Sequence, residues 1–139
     1  MQIRIDWIAV VIATIVGTAV AGGWYQEPIF GKAWRKVTGV TPKQSKQAGN
    51  APMIVLLLAN FVTAVALASL IYITSHFFKD YTVWFALLNG AFAGVALSAT
   101  TLIVHNGFEL KSKKLTLINT AYQLALFLSI ALVIGLFGA

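Results

Sequence analysis

The sequence predicts an all-α, polytopic membrane protein: a four-transmembrane-helix bundle with a short interfacial amphipathic helix in its first cytoplasmic loop. Three observations carry this. Of the 139 residues, 59% are hydrophobic and only 10% charged, with a mean hydropathy of +0.84, too apolar for an ordinary soluble domain of this length. The apolar residues gather in four runs, at about 5–25, 51–75, 83–104 and 116–138, each close to the ~20 residues that cross ~30 Å of hydrocarbon as a helix. Eight of the ten basic residues fall in two loops, Lys32, Arg35, Lys36, Lys43 and Lys46 after the first run and Lys111, Lys113 and Lys114 after the third. In a four-span chain those loops share one side. The short-loop Lys/Arg bias assigns that side to the cytoplasm and both termini to the outside. All of residues 1–139 then form a single transmembrane domain.

The first run, IDWIAVVIATIVGTAVAGGWY, is expected to be a retained span and not a signal peptide. Its n-region holds Arg4 and Asp6, without net positive charge, and its apolar stretch exceeds a usual h-region. It carries Ala9, Ala13, Gly17 and Ala21 at a spacing of four, a smooth stripe suited to close helix approach.

GWYQEPIFGKAWRK follows. From about 29 to 38 a helical wheel gathers Phe30, Ala33, Trp34 and Val37 on one face and Lys32, Arg35 and Lys36 on the other, the pattern of a helix lying in the interface plane. Trp24, Tyr25, Phe30 and Trp34 are the expected interfacial anchors. Glu27 fits that collar least well, since a carboxylate at headgroup level needs a partner. Residues 38–50, TGVTPKQSKQAGN, are rich in turn formers and read as a flexible loop.

The second run places Asn60 and Thr63 at depth. The third has Asn89 and a second small-residue ladder, Ala86, Gly90, Gly94 and Ser98. A soluble four-helix bundle would need a polar face here, and ALLNGAFAGVALSATTLIV has no charged residue. The fourth carries Asn119, Thr120 and Gln123 near its inner end. Unpaired amides in hydrocarbon cost several kcal/mol, so Asn60, Asn119 and Gln123 are expected to meet one another or a wet cavity. Two ladders in alternate spans suit either one compact bundle or a second subunit, and a homodimer is the favoured assembly.

Between the third and fourth runs, HNGFELK puts His105 and Glu109 four residues apart, on one face if the helix continues through Gly107. Together with Glu27 they form a candidate polar site at the cytoplasmic edge. Their chemistry would be proton or solute handling. Two ligands without a confirmed third are a weak metal signal, and the plain alternative is pairing with each other, with Lys111 or with a lipid headgroup. No metal or cofactor is expected.

The exclusions are firmer. Without cysteine there is no thiolate chemistry, and there is neither a phosphate-binding Gly-rich loop nor a nucleophile elbow. No charged side chain lies in the middle of any span, which counts against a carboxylate-switched transporter. The net charge of +6 follows from orientation and from attraction to anionic headgroups, the expected lipid partners. Nucleic acid is not expected as a partner, because no basic face is interleaved with exposed aromatics.

GWY...P.FG..W at 23–34, HNGFELK at 105–111 and NTAYQ at 119–123 resemble the DUF1761 family of small bacterial integral membrane proteins. The matching positions are Gly23, Trp24, Tyr25, Pro28, Phe30, Gly31, Trp34, His105, Glu109, Asn119 and Tyr122. The resemblance implies the four-span layout and a bacterial cytoplasmic (inner) membrane location, and it carries no activity or ligand. Function therefore divides between binding or conducting a small solute through the polar cytoplasmic site and serving as a structural or accessory subunit. A lipid- or quinone-modifying enzyme ranks last, and catalysis is not expected.

Overall fold

The computed structural model describes residues 2–138 and has four helices long and apolar enough to cross a membrane, Trp7–Trp24, Ala51–Phe78, Val83–Phe108 and Lys113–Leu136. Helix α1 (Trp7–Trp24) opens on Asp6, whose carboxylate accepts the Ala9 N–H at 3.1 Å, satisfying one of the free donors of a helix start. A π-helical turn, Glu27–Gly31, with Pro28 in its first positions, leads into α2 (Lys32–Thr38). Gly39, at φ 73°, closes α2 with its N–H on the Arg35 carbonyl.

Residues 38–50 are not the loop expected from their composition. Helix α3 (Pro42–Gln47) forms there because Thr41 and Gln44 complete a reciprocal capping box, with Pro42 at the first turn. Arg35 ties α2 to α3 through the Ser45 hydroxyl at 3.0 Å and the Val40 carbonyl at 3.3 Å.

The second span is α4 (Ala51–Phe78). Lys79, in the left-handed region at φ 57°, caps it. Asp80 then accepts both the hydroxyl (2.7 Å) and the N–H (3.0 Å) of Thr82, which itself caps the next helix at Phe85. The Thr82 hydroxyl and then its N–H hold the Asp80 carboxyl below its ordinary range. A depressed carboxyl adds stability above its unfolded-state pKa and loses it as pH falls through the folded value, so this turn loosens only in acid.

The third span is composite: α5 (Val83–Ala93), a π-helical segment Gly94–Ala99, and α6 (Thr100–Phe108). The last is α7 (Lys113–Leu136), capped by Ser112. It is the axis of the bundle, with α1 and α5 packed most extensively on it and α4 set beside α1.

Small residues allow that arrangement. Ala9, Ala13, Gly17 and Ala21 are all buried, and a methyl group at Gly17 would lie 2.8 Å from Leu126 Cδ1 of α7. On the third span, a methyl group at Gly90 would lie 2.5 Å from the Ala131 Cβ and 3.0 Å from the Phe127 carbonyl oxygen, and one at Gly94 would lie 3.1 Å from the Phe127 Cβ. In return Gly135 of α7 accommodates Ala86. Both ladders thus pack largely within the chain, through Gly17, Gly90 and Gly94 against α7.

The large side chains do the opposite. Trp84, Phe92, Leu97, Leu117 and Val62 are each between 66 and 81% exposed, and only 17–33% of each span is buried inside the protein. Water would not tolerate so continuous an apolar exterior. Lipid does, and the hydroxyls of Thr14, Thr18, Ser69, Thr100, Thr101 and Ser129 all bond back to the carbonyl four residues earlier, which satisfies them without solvent.

Two amides clamp the spans. Asn60, almost fully buried, donates to Thr18 Oγ1 of α1 at 3.3 Å. Asn89 accepts the Thr74 hydroxyl of α4 at 3.0 Å and donates to the Phe85 carbonyl at 2.9 Å.

Gly90→Leu forces bulk against the α7 backbone and is expected to lower stability by about 1–3 kcal/mol, the usual cost of overpacking. Gly22→Ala, with no neighbour within 4 Å, should be neutral or stabilise slightly. Thermal unfolding in one detergent, followed by circular dichroism, compares them. Equal melting of Gly90→Leu and wild type would remove the close α5–α7 contact.

Candidate functional site

A polar and aromatic constellation that joins the end of α1 to the start of α7 lies at the end carrying the two basic loops. There the aromatic collar folds onto α7. Trp24, the last residue of α1, donates its indole N–H to the Ile118 carbonyl at 3.2 Å. Tyr25 donates its hydroxyl to Asn119 Oδ1 at 2.6 Å. Ring contacts complete the cluster: Trp24 with Phe30 at 4.6 Å, Tyr25 with Trp34 at 5.8 Å, and Tyr122 with both Tyr25 (5.2 Å) and Trp24 (6.4 Å). Such tilted and edge-on pairs add to the stabilisation from burial.

The π turn sets this geometry. Gly31 N–H reaches back to the Gln26 carbonyl at 2.8 Å, a wider loop than an α-helix makes, and it brings Phe30 and Trp34 over Trp24 and Tyr25. Gly31 is buried, and a methyl group there would fall on the Tyr25 carbonyl oxygen. Only glycine fits.

Beneath the collar is a cavity of about 570 Å³, walled by Tyr25, Trp34, Leu56, Tyr122 and Leu102, with Asn119 and Gln123 on its polar side. Gln123 Oε1 accepts the Ser98 hydroxyl at 3.1 Å. Among the described residues, the amide nitrogens of Asn119 and Gln123 have no hydrogen-bond partner within the chain, and the Tyr122 hydroxyl is buried without one. The site therefore offers neutral donors set among aromatic and aliphatic walls.

The expected polar residues do not all meet here. Asn119 and Gln123 line the cavity, whereas Asn60 faces α1 through Thr18. Glu27, His105 and Glu109 are exposed. Helix α6 does continue through Gly107, and Glu109 caps it with its N–H on the His105 carbonyl at 3.0 Å. Among the described residues no ion pair joins these side chains, and no group of three or more His, Asp or Glu is placed to hold a metal. Phe30 of the π turn and Trp34 of α2, expected as interfacial anchors, contact Trp24 and Tyr25 of the chain's own aromatic cluster. Tyr122, a family-like position with no role expected for it, stands at the centre of that cluster.

Fold and exterior together define a small polytopic membrane protein. The chain belongs to the DUF1761 family, described as a protein of unknown function, which it matches over residues 8–135. No curated protein and no solved structure matches it.

Tyr25→Phe leaves Asn119 Oδ1 without its donor and is expected to cost about 1 kcal/mol. Tyr122→Phe removes a hydroxyl that has no partner and should cost nothing or stabilise. Paired thermal melts measure both, and a larger loss for Tyr122→Phe would contradict the hydrogen-bond assignment.

Proposed function

We propose that this protein binds a small neutral molecule, largely apolar and bearing a hydrogen-bond acceptor, in the cavity beneath its aromatic collar. One observation carries the reading: two half-buried amides, Asn119 and Gln123, face a cavity of about 570 Å³ with their N–H groups unused, within the usual size range of ligand pockets. An amide held at membrane depth with spare donors is costly unless something accepts from it. The aromatic walls favour a flat or apolar body.

In this reading the basic loops face the cytoplasm, both termini lie outside, and α2 sits at headgroup level with Lys32 and Lys36 toward anionic lipid. The site then opens at the cytoplasmic face. Glu27, His105 and Glu109 are solvated groups around that face and do not form the binding site. The solute-binding reading is preferred to the accessory-subunit one because Gly17, Gly90 and Gly94 of the small-residue ladders pack against α7.

Two measurements test this. The full-length protein is extracted with its native lipids into nanodiscs, and retained small molecules are compared by mass spectrometry with those of Asn119→Ala/Gln123→Ala. Wild type is expected to keep a neutral amphiphile that the double variant loses; identical bulk-lipid profiles would sink the proposal. Because the chain has no cysteine, single Lys43→Cys and Lys79→Cys variants report orientation. A membrane-impermeant maleimide added to intact cells should label position 79 and not 43, and the reverse result inverts the topology.

A further inference from the structure

The collar cavity does not end at Gln123. A second cavity, of about 670 Å³, shares Leu102 and Gln123 with it and runs on between α4 and the third span, with Phe127 of α7 as its floor. Its α4 side is Val62, Ala66 and Leu70, and its opposite side includes Leu97, Ser98 and Thr101. Most of its lining is apolar; Ser98 is engaged with Gln123 and Thr101 with the Leu97 carbonyl, which leaves the Thr63 hydroxyl and the Gln123 amide N–H as its polar groups, so beyond Gln123 the cleft presents mostly carbon. Val62 and Leu97 on its rim are about two-thirds exposed on the apolar exterior. The cleft therefore opens sideways, into hydrocarbon.

Two further observations point to an occupant. No charged side chain lines either cavity, although eight basic residues lie in the loops at the collar end. A phosphate or carboxylate head would find no counter-charge inside. And the wall formed by the third span contains the π-helical segment Gly94–Ala99, an irregularity found frequently at functional sites. It carries Leu97 and Ser98 of the cleft wall.

Building on the proposed head-group site, we infer that the two cavities form one binding site for a prenylated quinone. The flat ring lies among Tyr25, Trp34 and Tyr122, where aromatic faces and edges suit a ring of its size. Its carbonyl oxygens accept from the amide N–H groups of Asn119 and Gln123. The prenyl tail, a methyl-branched isoprenoid chain, follows the apolar cleft past Ala66 and Phe127 and leaves between α4 and the third span into the bilayer. Entry is lateral, so neither end of the protein has to open. Binding alone is inferred, with no redox step.

The test reconstitutes the full chain in phosphatidylcholine nanodiscs containing a prenylated benzoquinone, its tailless benzoquinone analogue, or a monoacylglycerol, and counts retained molecules by native mass spectrometry. Ala66 and Thr101 are exposed cleft residues, so Ala66→Phe and Thr101→Phe should fill the cleft while leaving the collar intact; matching melting temperatures check that both variants fold. Wild type is expected to retain one prenylated quinone per chain. Either substitution should cut that occupancy about tenfold, the effect of denying burial to roughly two methylene groups, without changing retention of the tailless quinone. Unchanged occupancy in both folded variants would overturn the cleft as the tail site. Retention of the monoacylglycerol in place of either quinone would overturn the ligand class while leaving the collar site standing, and retention of none of the three would remove both readings.

Discussion

Close backbone approach onto α7 is the constraint on which the rest of this structure depends. Lipid tails are as apolar as leucine, so spans gain nothing from burying large side chains against one another. They associate through dispersion, which rises steeply as backbones draw near. Gly17 under Leu126, Gly90 against Ala131 and the Phe127 carbonyl, and Gly135 against Ala86 are the points at which that approach is achieved. They hold α1 and the third span on two sides of one helix. The end of α1 is thereby set beside the start of α7, which brings Tyr25 to Asn119 across 94 residues of sequence.

The amides divide into two kinds. Asn60 and Asn89 each find partners on a neighbouring helix or their own turn, and they act as clamps where hydrocarbon offers no substitute acceptor. Asn119 and Gln123 are half engaged. Each accepts one hydroxyl, from Tyr25 and Ser98 respectively, which fixes the orientation of the amide and leaves its N–H groups without a partner in the chain. A tethered amide loses little conformational freedom when a ligand arrives, and such preorganisation favours binding over an untethered side chain.

Much of the architecture was legible in the sequence because composition alone limits what can lie in a bilayer. The four spans, the small-residue faces of α1 and the third span, and the helical character of residues 32–38 all follow from local pattern. What local pattern does not contain is the partner. The surface that receives both ladders is an ordinary run of Leu126, Phe127, Ile130 and Ala131, so the central position of α7 had no periodic signature. Tyr122 stood out only as a family-like position, with nothing in its local pattern to place it at the centre of the aromatic cluster. The capping box of α3 was present as Thr41-Pro42-Lys43-Gln44 but was outweighed by the surrounding turn formers. The π turns have no sequence rule, although the buried Gly31 is explained once the Tyr25 carbonyl is seen beside it. His105 lies in the last turn of α6 and Glu109 at its cap, just beyond the helix, and exposure, which spacing cannot report, separates both from the cavity.

The spans differ in length: 18 residues in α1 against 28 in α4, or about 27 and 42 Å of helix. A hydrocarbon layer of ~30 Å cannot match both. Lipid beside α1 must thin slightly, while α4 must tilt or carry its last turns, with Tyr72 and His76, beyond the acyl chains. The two helices pack against each other in the bundle, so the mismatch is not relieved by moving them apart. The step in span length therefore falls between adjacent helices, and it is met locally, by tilt of α4 or by lipid adjusting beside α1.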